Sequence, residues 1–229
     1  MKWNLLFIVI YFSLFLIGCD SKEKIKIDHI ILAINALDLG IEKFEELTGL
    51  HAEYGGDHSN SFTHNAIVSL NKHTYIEILA PKKGLDSIPD FFKDFHELKP
   101  IGFAISISEI ELLEKSLKNL GFSTQGVEDW SRKKTNGDKL KWKLLQVEKP
   151  DINVNPFFIK WSEETGHPTS EINVYTKLEE LELITPFNIE INQILASINS
   201  KVDLLEIKDG NIAQVILSIQ SPKGRITFK

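Results

Sequence analysis

Ile27-Asp28-His29-Ile30-Ile31-Leu32-Ala33-Ile34, followed by Asn35-Ala36-Leu37-Asp38-Leu39-Gly40-Ile41-Glu42-Lys43-Phe44-Glu45-Glu46-Leu47-Thr48-Gly49, is the stretch that decides the fold. The first eight residues form an apolar β-type run broken only by Asp28 and His29. In the second part Leu37, Ile41, Phe44 and Leu47 recur at helical spacing, and Gly49 is placed to cap the end of the helix. Three short strands are expected next, over Leu50–Tyr54, Thr63–Leu70 and Tyr75–Leu79, with turns at Gly55-Gly56 and Asn71-Lys72. The order is β-α-β-β-β.

The same order recurs downstream. Ile101–Ile107 is β-like, and Ser108 is placed to cap a helix that carries Ile110, Leu113, Leu117 and Leu120 on one face and closes at Gly121. Strands are expected over Phe122–Val127, Leu140–Val147 and Pro156–Trp161, with a charged turn around Asn136-Gly137. Ala33 and Gly49 are separated by the same sequence distance as Ile105 and Gly121, which is the trace of an internal duplication. A partial third unit closes the chain: a strand at Leu178–Ile184, a helix at Glu190–Ser200, then strands at Asp203–Ile207, Gln214–Ser221 and Arg225–Lys229. Asp209-Gly210 signals a hairpin between the strands on either side of it. A plainer role for this tail is a stabilising extension that covers an open sheet edge.

The N-terminus reads as an address. Lys2 precedes an apolar run, Leu5 through Ile17, and Leu16-Ile17-Gly18-Cys19 resembles the bacterial lipobox, in which the cysteine is lipidated and becomes the mature N-terminus. The run is too short for a permanent spanning helix. Residues 1–18 are therefore expected to be a signal peptide and residues 19–26 a tether, with the domain outside the cytoplasm and held by lipid to a bacterial envelope membrane. Loss of Lys2 leaves 25 of the 26 basic residues against 32 acidic ones, net −7. Charge alone would not draw such a body to an anionic bilayer. An acidic chain also argues against nucleic-acid binding. Cys19 is the only cysteine, which excludes an intramolecular disulfide and multi-cysteine metal motifs.

Asp28-His29, Gly55-Gly56-Asp57-His58, Phe62-Thr63-His64-Asn65-Ala66, Tyr75-Ile76-Glu77-Ile78-Leu79 and Pro156-Phe157-Phe158-Ile159-Lys160-Trp161 together resemble the glyoxalase-like domain of the vicinal oxygen chelate superfamily. The likeness spans roughly residues 27–170, with modules at about 27–80 and 100–162 and an α+β extension over 171–229. It implies an α+β fold of paired β-α-β-β-β modules that wrap a mixed sheet around a cup, here with a partial third module. The superfamily includes metal-dependent lyases and isomerases, dioxygenases and non-enzymatic binding proteins, so fold alone does not assign a function.

Alternation along the first strand places His29 on one face with Ile27, Ile31 and Ala33, and Glu77 on one face with Tyr75 and Leu79. An imidazole and a carboxylate on apolar faces need partners. In the superfamily's metal enzymes a histidine on the first strand and a glutamate on the fourth are ligands, and His29 and Glu77 match those positions. The resemblance thus implies a divalent ion such as Zn, Fe, Ni or Mn. Against it, the matching second-module positions hold apolar residues (Ile101 or Phe103, Phe158 or Ile159), so a third donor would have to be His64 or His58. The alternative for His29 and Glu77 is a buried pair that fastens two strands together.

Thr63 and Asn65 fall on one strand face and His64 on the other, so the three share a pocket only if the strand is bulged. Asn65 and Thr63 are expected to orient a substrate oxygen or His29, and His58 to be a donor from the loop. A tryptophan ending the eighth strand and a histidine in the loop after it also resemble the family pattern. Trp161 would form an apolar wall, and His167 a proton-transfer group at the cavity mouth. Phe157 and Phe158 are expected in the core. The expected activity is a lyase or isomerase step on a small oxygen-rich molecule, catalysed by His29 and Glu77 with His64 and His167. The rivals are capture of a small molecule without turnover and a structural envelope lipoprotein.

Overall fold

The computed structural model of the protein describes residues 25–134, 136–148, 156–170, 176–198 and 202–229. The signal-peptide and lipidation readings at residues 1–19, and the tether as far as residue 24, lie outside the described residues. Among the described residues no helix is long and apolar enough to cross a membrane.

Two β-α-β-β-β modules are present. The first comprises β1 (Ile27–Ala33), α1 (Leu37–Thr48), β2 (Glu53–Asp57), β3 (Thr63–Asn71) and β4 (Thr74–Pro81). The second comprises β5 (Lys99–Ser106), α2 (Ile110–Asn119), β6 (Ser123–Lys133), β7 (Lys139–Glu148) and β8 (Pro156–Trp161). Gly49 ends α1 in the left-handed conformation (φ 72°), its N–H donating to the Glu45 carbonyl at 2.8 Å. Ser108 does not cap α2; the helix starts at Ile110 after Glu109 with no side-chain cap.

The eight module strands form one sheet in the order β2-β3-β4-β1-β5-β8-β7-β6. Each module pairs its first strand in parallel with its last, and β1 and β5 join the modules antiparallel at the centre. The sheet curls until its outer strands meet. His58 bridges Arg132, the Ser59 N–H donates to the Ser131 carbonyl at 3.0 Å, and Asn60 Nδ2 donates to the Asp129 carbonyl at 3.0 Å.

This closure corrects the reading of Gly55-Gly56 as a turn. Both glycines lie inside β2, at a register shift between Tyr54 and Gly56. Gly56 has φ 128°, and a Cβ there would sit 2.2 Å from the Lys133 carbonyl oxygen. A Cβ on Gly55 would sit 2.2 Å from Asn65 Oδ1. The pair lets β6 approach β2 closely, a strand use of glycine that mimics a turn signal in sequence. For its part β6 runs on past the expected end at Val127 to Lys133.

The convex face of the sheet holds the main core. Ile30, Leu32, Ile76, Phe103, Ile105 and Phe158 are fully buried there, packed with residues of α1, α2 and the C-terminal extension. That extension consists of β9 (Lys177–Thr185), α3 (Asn188–Ala196), β10 (Leu205–Asp209), β11 (Gln214–Ser221) and β12 (Gly224–Phe228). It repeats the element order of a module but not its pairing: its four strands run β10-β9-β11-β12, with β9 inside the sheet. The hairpin expected at Asp209-Gly210 is therefore absent. β10 pairs in parallel with β9, and β11 pairs with the other edge of β9. A Cβ on Gly210 would lie 2.3 Å from Ile184 Cγ2, so this glycine serves the passage of the chain across the end of β9. The extension covers a face rather than an edge: Leu181, Leu217 and Ile219 join the main core, and Phe228 stacks on Phe44 with centroids 5.7 Å apart.

Candidate functional site

The concave face of the curled sheet encloses a cavity of about 290 Å³. Alternation sends His29 and Ile31 of β1, Asn65 of β3 and Glu77 of β4 into it. The second module contributes mostly aromatic wall: Trp130, Trp142, Phe157 and Trp161.

At the near end of β1 the alternation slips. Register shifts between Ile27 and His29, so two residues of β1 oppose one of β5. Ile27 then faces the main core instead of sharing the His29 face, while Asp28 and His29 act together. Asp28 is 1% exposed; it accepts from His29 Nδ1 at 2.8 Å and from Trp161 Nε1 at 2.9 Å. Burial pushes its carboxyl up, but contacts from His167 and His29 outweigh this and hold it below the usual carboxylate range. An ionised Asp28 holds a proton on His29 Nδ1 and turns Nε2 into the cavity.

There Nε2 meets Glu77. His29 Nε2 and Glu77 Oε2 are 3.6 Å apart, on the diagonal between parallel neighbours, since Ile31 is the residue directly opposite Glu77. The other carboxylate oxygen, Oε1, accepts from Asn65 Nδ2 at 2.6 Å. His58 completes the cluster. Thr63 Oγ1 donates to Ser61 Oγ at 3.1 Å and so accepts from His58 Nδ1 at 2.9 Å. This leaves His58 Nε2 as an acceptor, 3.3 Å from Asn65 Nδ2. Burial pushes the His58 imidazole down, with the Glu77 charge opposing it, so His58 is held neutral. Tyr75 stacks on His29 at 4.7 Å, and Phe157 meets its edge at 5.4 Å.

Six of the expected site residues thus line one cavity: His29, His58, Thr63, Asn65, Glu77 and Trp161. Two do not. Strand alternation puts His64 on the opposite face, beside Leu37 and Lys82, with Nδ1 3.8 Å from Asp57 Oδ1. His167 does not cover the mouth. It stands behind Asp28, with Nε2 3.5 Å from Asp28 Oδ2, and borders a separate groove. Neither can touch a molecule held between His29 and Glu77. Phe157 is also displaced from expectation, lining the cavity while Phe158 stays in the core.

Two residues of the candidate site escape a reading by sequence. Asp28 is hidden because strict alternation turns it away from His29, and only the bulge brings it back. Arg132, 4% exposed, lines the cavity from the part of β6 beyond the expected strand. The Trp130-Ser131-Arg132 alternation was its available signal.

The donor set does not fit the three-ligand ion implied by His29, Glu77 and His64. His64 is on the wrong face, and His58, whose Nε2 lies 3.5 Å from Glu77 Oε1, does not come within common reach of both His29 and Glu77 as a third donor. Among the described residues the one group of three acidic or histidine donors within mutual reach is Glu180, Glu182 and Glu206, in the extension. Those acids are paired with Lys208 and Arg225. From the second module the inward residues are Ala104 on β5 and Phe157 and Ile159 on β8, none of them a ligand.

The family model described as "glyoxalase-like domain" matches residues 27–198. The chain belongs to this family. Its fold agrees with that of the vicinal oxygen chelate superfamily. A crystallised hypothetical protein from Staphylococcus aureus is 18% identical; the match covers 90% of this chain and 99% of that one with a TM-score of 0.67, a likeness of fold alone. Methylmalonyl-CoA epimerase from Mycobacterium tuberculosis is 16% identical over 60% of this chain and 89% of that one, TM-score 0.46. The Streptomyces coelicolor epimerase in complex with 2-nitronate-propionyl-CoA is 16% identical over 58% and 95%, TM-score 0.46. No curated protein matches the sequence.

Proposed function

We propose that the glyoxalase-like domain binds a small oxygen-bearing molecule in the concave cavity and moves a proton on it, as an isomerase or lyase, with His29 and Glu77 as the acid/base pair. One observation carries this reading. His29 Nε2 and Glu77 Oε2 face each other at 3.6 Å while Asp28 holds the histidine's only other nitrogen. Two acceptor atoms at that separation are matched when a proton, or a substrate hydrogen, lies between them.

The surroundings support an exchange of roles. Asn65 grips the remote oxygen of Glu77 and fixes the carboxylate plane, leaving Oε2 for substrate. One member of the pair takes a proton from carbon beside a carbonyl, the electron pair passes to the carbonyl oxygen, and the same proton, kept on that member or passed across to its partner, is returned to a neighbouring position. No oxidant or co-substrate is needed for such an isomerisation. Positioned general acid–base groups contribute roughly 10²–10⁴-fold.

The test follows deuterium uptake by NMR across a panel of small ketones and 2-oxo acids in D₂O. Wild-type protein accelerates exchange at the carbon next to the carbonyl, and His29→Ala and Glu77→Gln each lower the rate by at least about 10²-fold. Saturable binding without exchange would instead assign the aromatic cavity to capture. Exchange unaltered in both variants would remove the pair from the chemistry.

We further propose that residues 1–18 are removed and that Cys19 carries the lipid anchoring the domain to the outer face of a bacterial membrane, on the strength of Leu16-Ile17-Gly18-Cys19. A Cys19→Ser chain that still partitions with membranes after high-salt washing would refute this.

A further inference from the structure

The cavity contains a cation that its own walls do not satisfy. Arg132 projects from β6 beside Trp130, two residues earlier on the same face, and is 4% exposed. Among the described residues its guanidinium makes no side-chain hydrogen bond and no ion pair. Its position is tightly set nonetheless. The backbone is locked by pairing with Leu140 on β7 and by the bridge to His58, and Nη1 lies 3.2 Å from where a Cβ on Gly55 would be. Burial works against its charge, with Tyr75 and Glu77 the principal nearby groups in its favour. A guanidinium taken out of water without acceptors is costly, and its five donors in a planar fork match a carboxylate better than any other common group.

A second orphan sits beside it. Asn65 Oδ1 is buried without a partner and would lie 2.2 Å from the same Gly55 Cβ position. This end of the cavity thus presents an unsatisfied cation and an unsatisfied acceptor around a glycine, while the far walls are aromatic. The volume, about 290 Å³, is at the small end of the roughly 300–1,000 Å³ typical of small-molecule sites.

We propose that Arg132 is the carboxylate-binding group of the cavity, and that the ligand is a small monocarboxylate with a flat apolar body stacked among Trp130, Trp142 and Trp161. The ligand class rests on the reading above that this cavity is where the small molecule binds. A single charge is favoured over a phosphate's two because Glu77 already places one carboxylate near the one guanidinium.

Binding can be measured without turnover, which separates this proposal from the acid/base reading. Phenylacetate, phenylacetamide and phenyl phosphate are titrated into the wild-type protein by calorimetry, with tryptophan fluorescence in parallel. The expected result is saturable binding of phenylacetate, at least about tenfold tighter than that of its amide or of phenyl phosphate. In Arg132→Gln the preference for the acid over the amide disappears, and in Arg132→Lys it is partly kept. Equal affinity for acid and amide, tighter binding of phenyl phosphate, or no binding of any of the three would overturn the assignment on wild-type protein alone. A preference that survives in Arg132→Gln would do the same. Deuterium exchange that fails while this preference holds would discard the acid/base reading and leave the carboxylate site standing.

Discussion

At the scale of single residues, the candidate site is a chain of committed hydrogen bonds that leaves two atoms free to act. Trp161 and His29 hold Asp28, Asp28 sets the tautomer of His29, and Asn65 steadies Glu77. His58 is held neutral by the same environment, and this has a consequence for stability. In the unfolded chain a histidine takes up a proton as pH falls through about 6.5. Folded His58 resists that proton because burial depresses its pKa. Below about 6.5 the unfolded state therefore binds more protons, and stability declines as pH drops toward the folded value, by at most about 1.4 kcal/mol per pH unit for this one group. Urea midpoints measured from pH 8 to pH 5 should fall on the acid side, with a shallower fall in His58→Gln. The slope should not vanish, because His64 and His73 are also pushed down by burial. An identical slope in the variant would show that His58 titrates freely in the fold.

At the scale of elements, what the sequence disclosed follows from which signals are local. The helices were legible because the apolar period and the terminal glycines are local facts, and Gly49 and Gly121 both take positive φ. Alternation made the inward faces of His29 and Glu77 legible and set Asn65 opposite His64, yet His64 was still expected among the catalytic groups and lies on the other face. Where alternation breaks, the reading fails. The bulge at Asp28 and the glycines in β2 belong to long-range pairing, and no residue next to Gly55 announces that β6 will arrive there. The hairpin at Asp209-Gly210 failed for the same reason, since the glycine there accommodates Ile184 rather than a turn between partners. Sheet closure can be tested directly. Gly56→Ala combines a positive φ with a 2.2 Å backbone contact and should cost about 3 kcal/mol or more in urea unfolding. Gly84→Ala, at φ 83° with open space around it, should cost less. Equal losses would mean that the approach of β6 to β2 contributes nothing beyond backbone strain.

At the scale of the whole molecule, the duplicated modules have divided the work. The first supplies the polar machinery, Asp28, His29, His58, Asn65 and Glu77. The second supplies aromatic wall and one arginine. The C-terminal extension buries the convex face, so that the concave face is free to hold polar groups that a core could not accommodate. The family's metal positions are apolar in the second module here, so the chemistry proposed above is assigned to the chain's own side chains. All of it depends on His29 presenting a bare Nε2 to Glu77. The most direct measurement is the ¹⁵N spectrum of the His29 imidazole at neutral pH, assigned by comparison with His29→Gln. The account predicts a proton on Nδ1, strongly deshielded by Asp28, and an Nε2 signal that moves in Glu77→Gln. A histidine protonated only on Nε2, with a spectrum indifferent to Glu77, would contradict it.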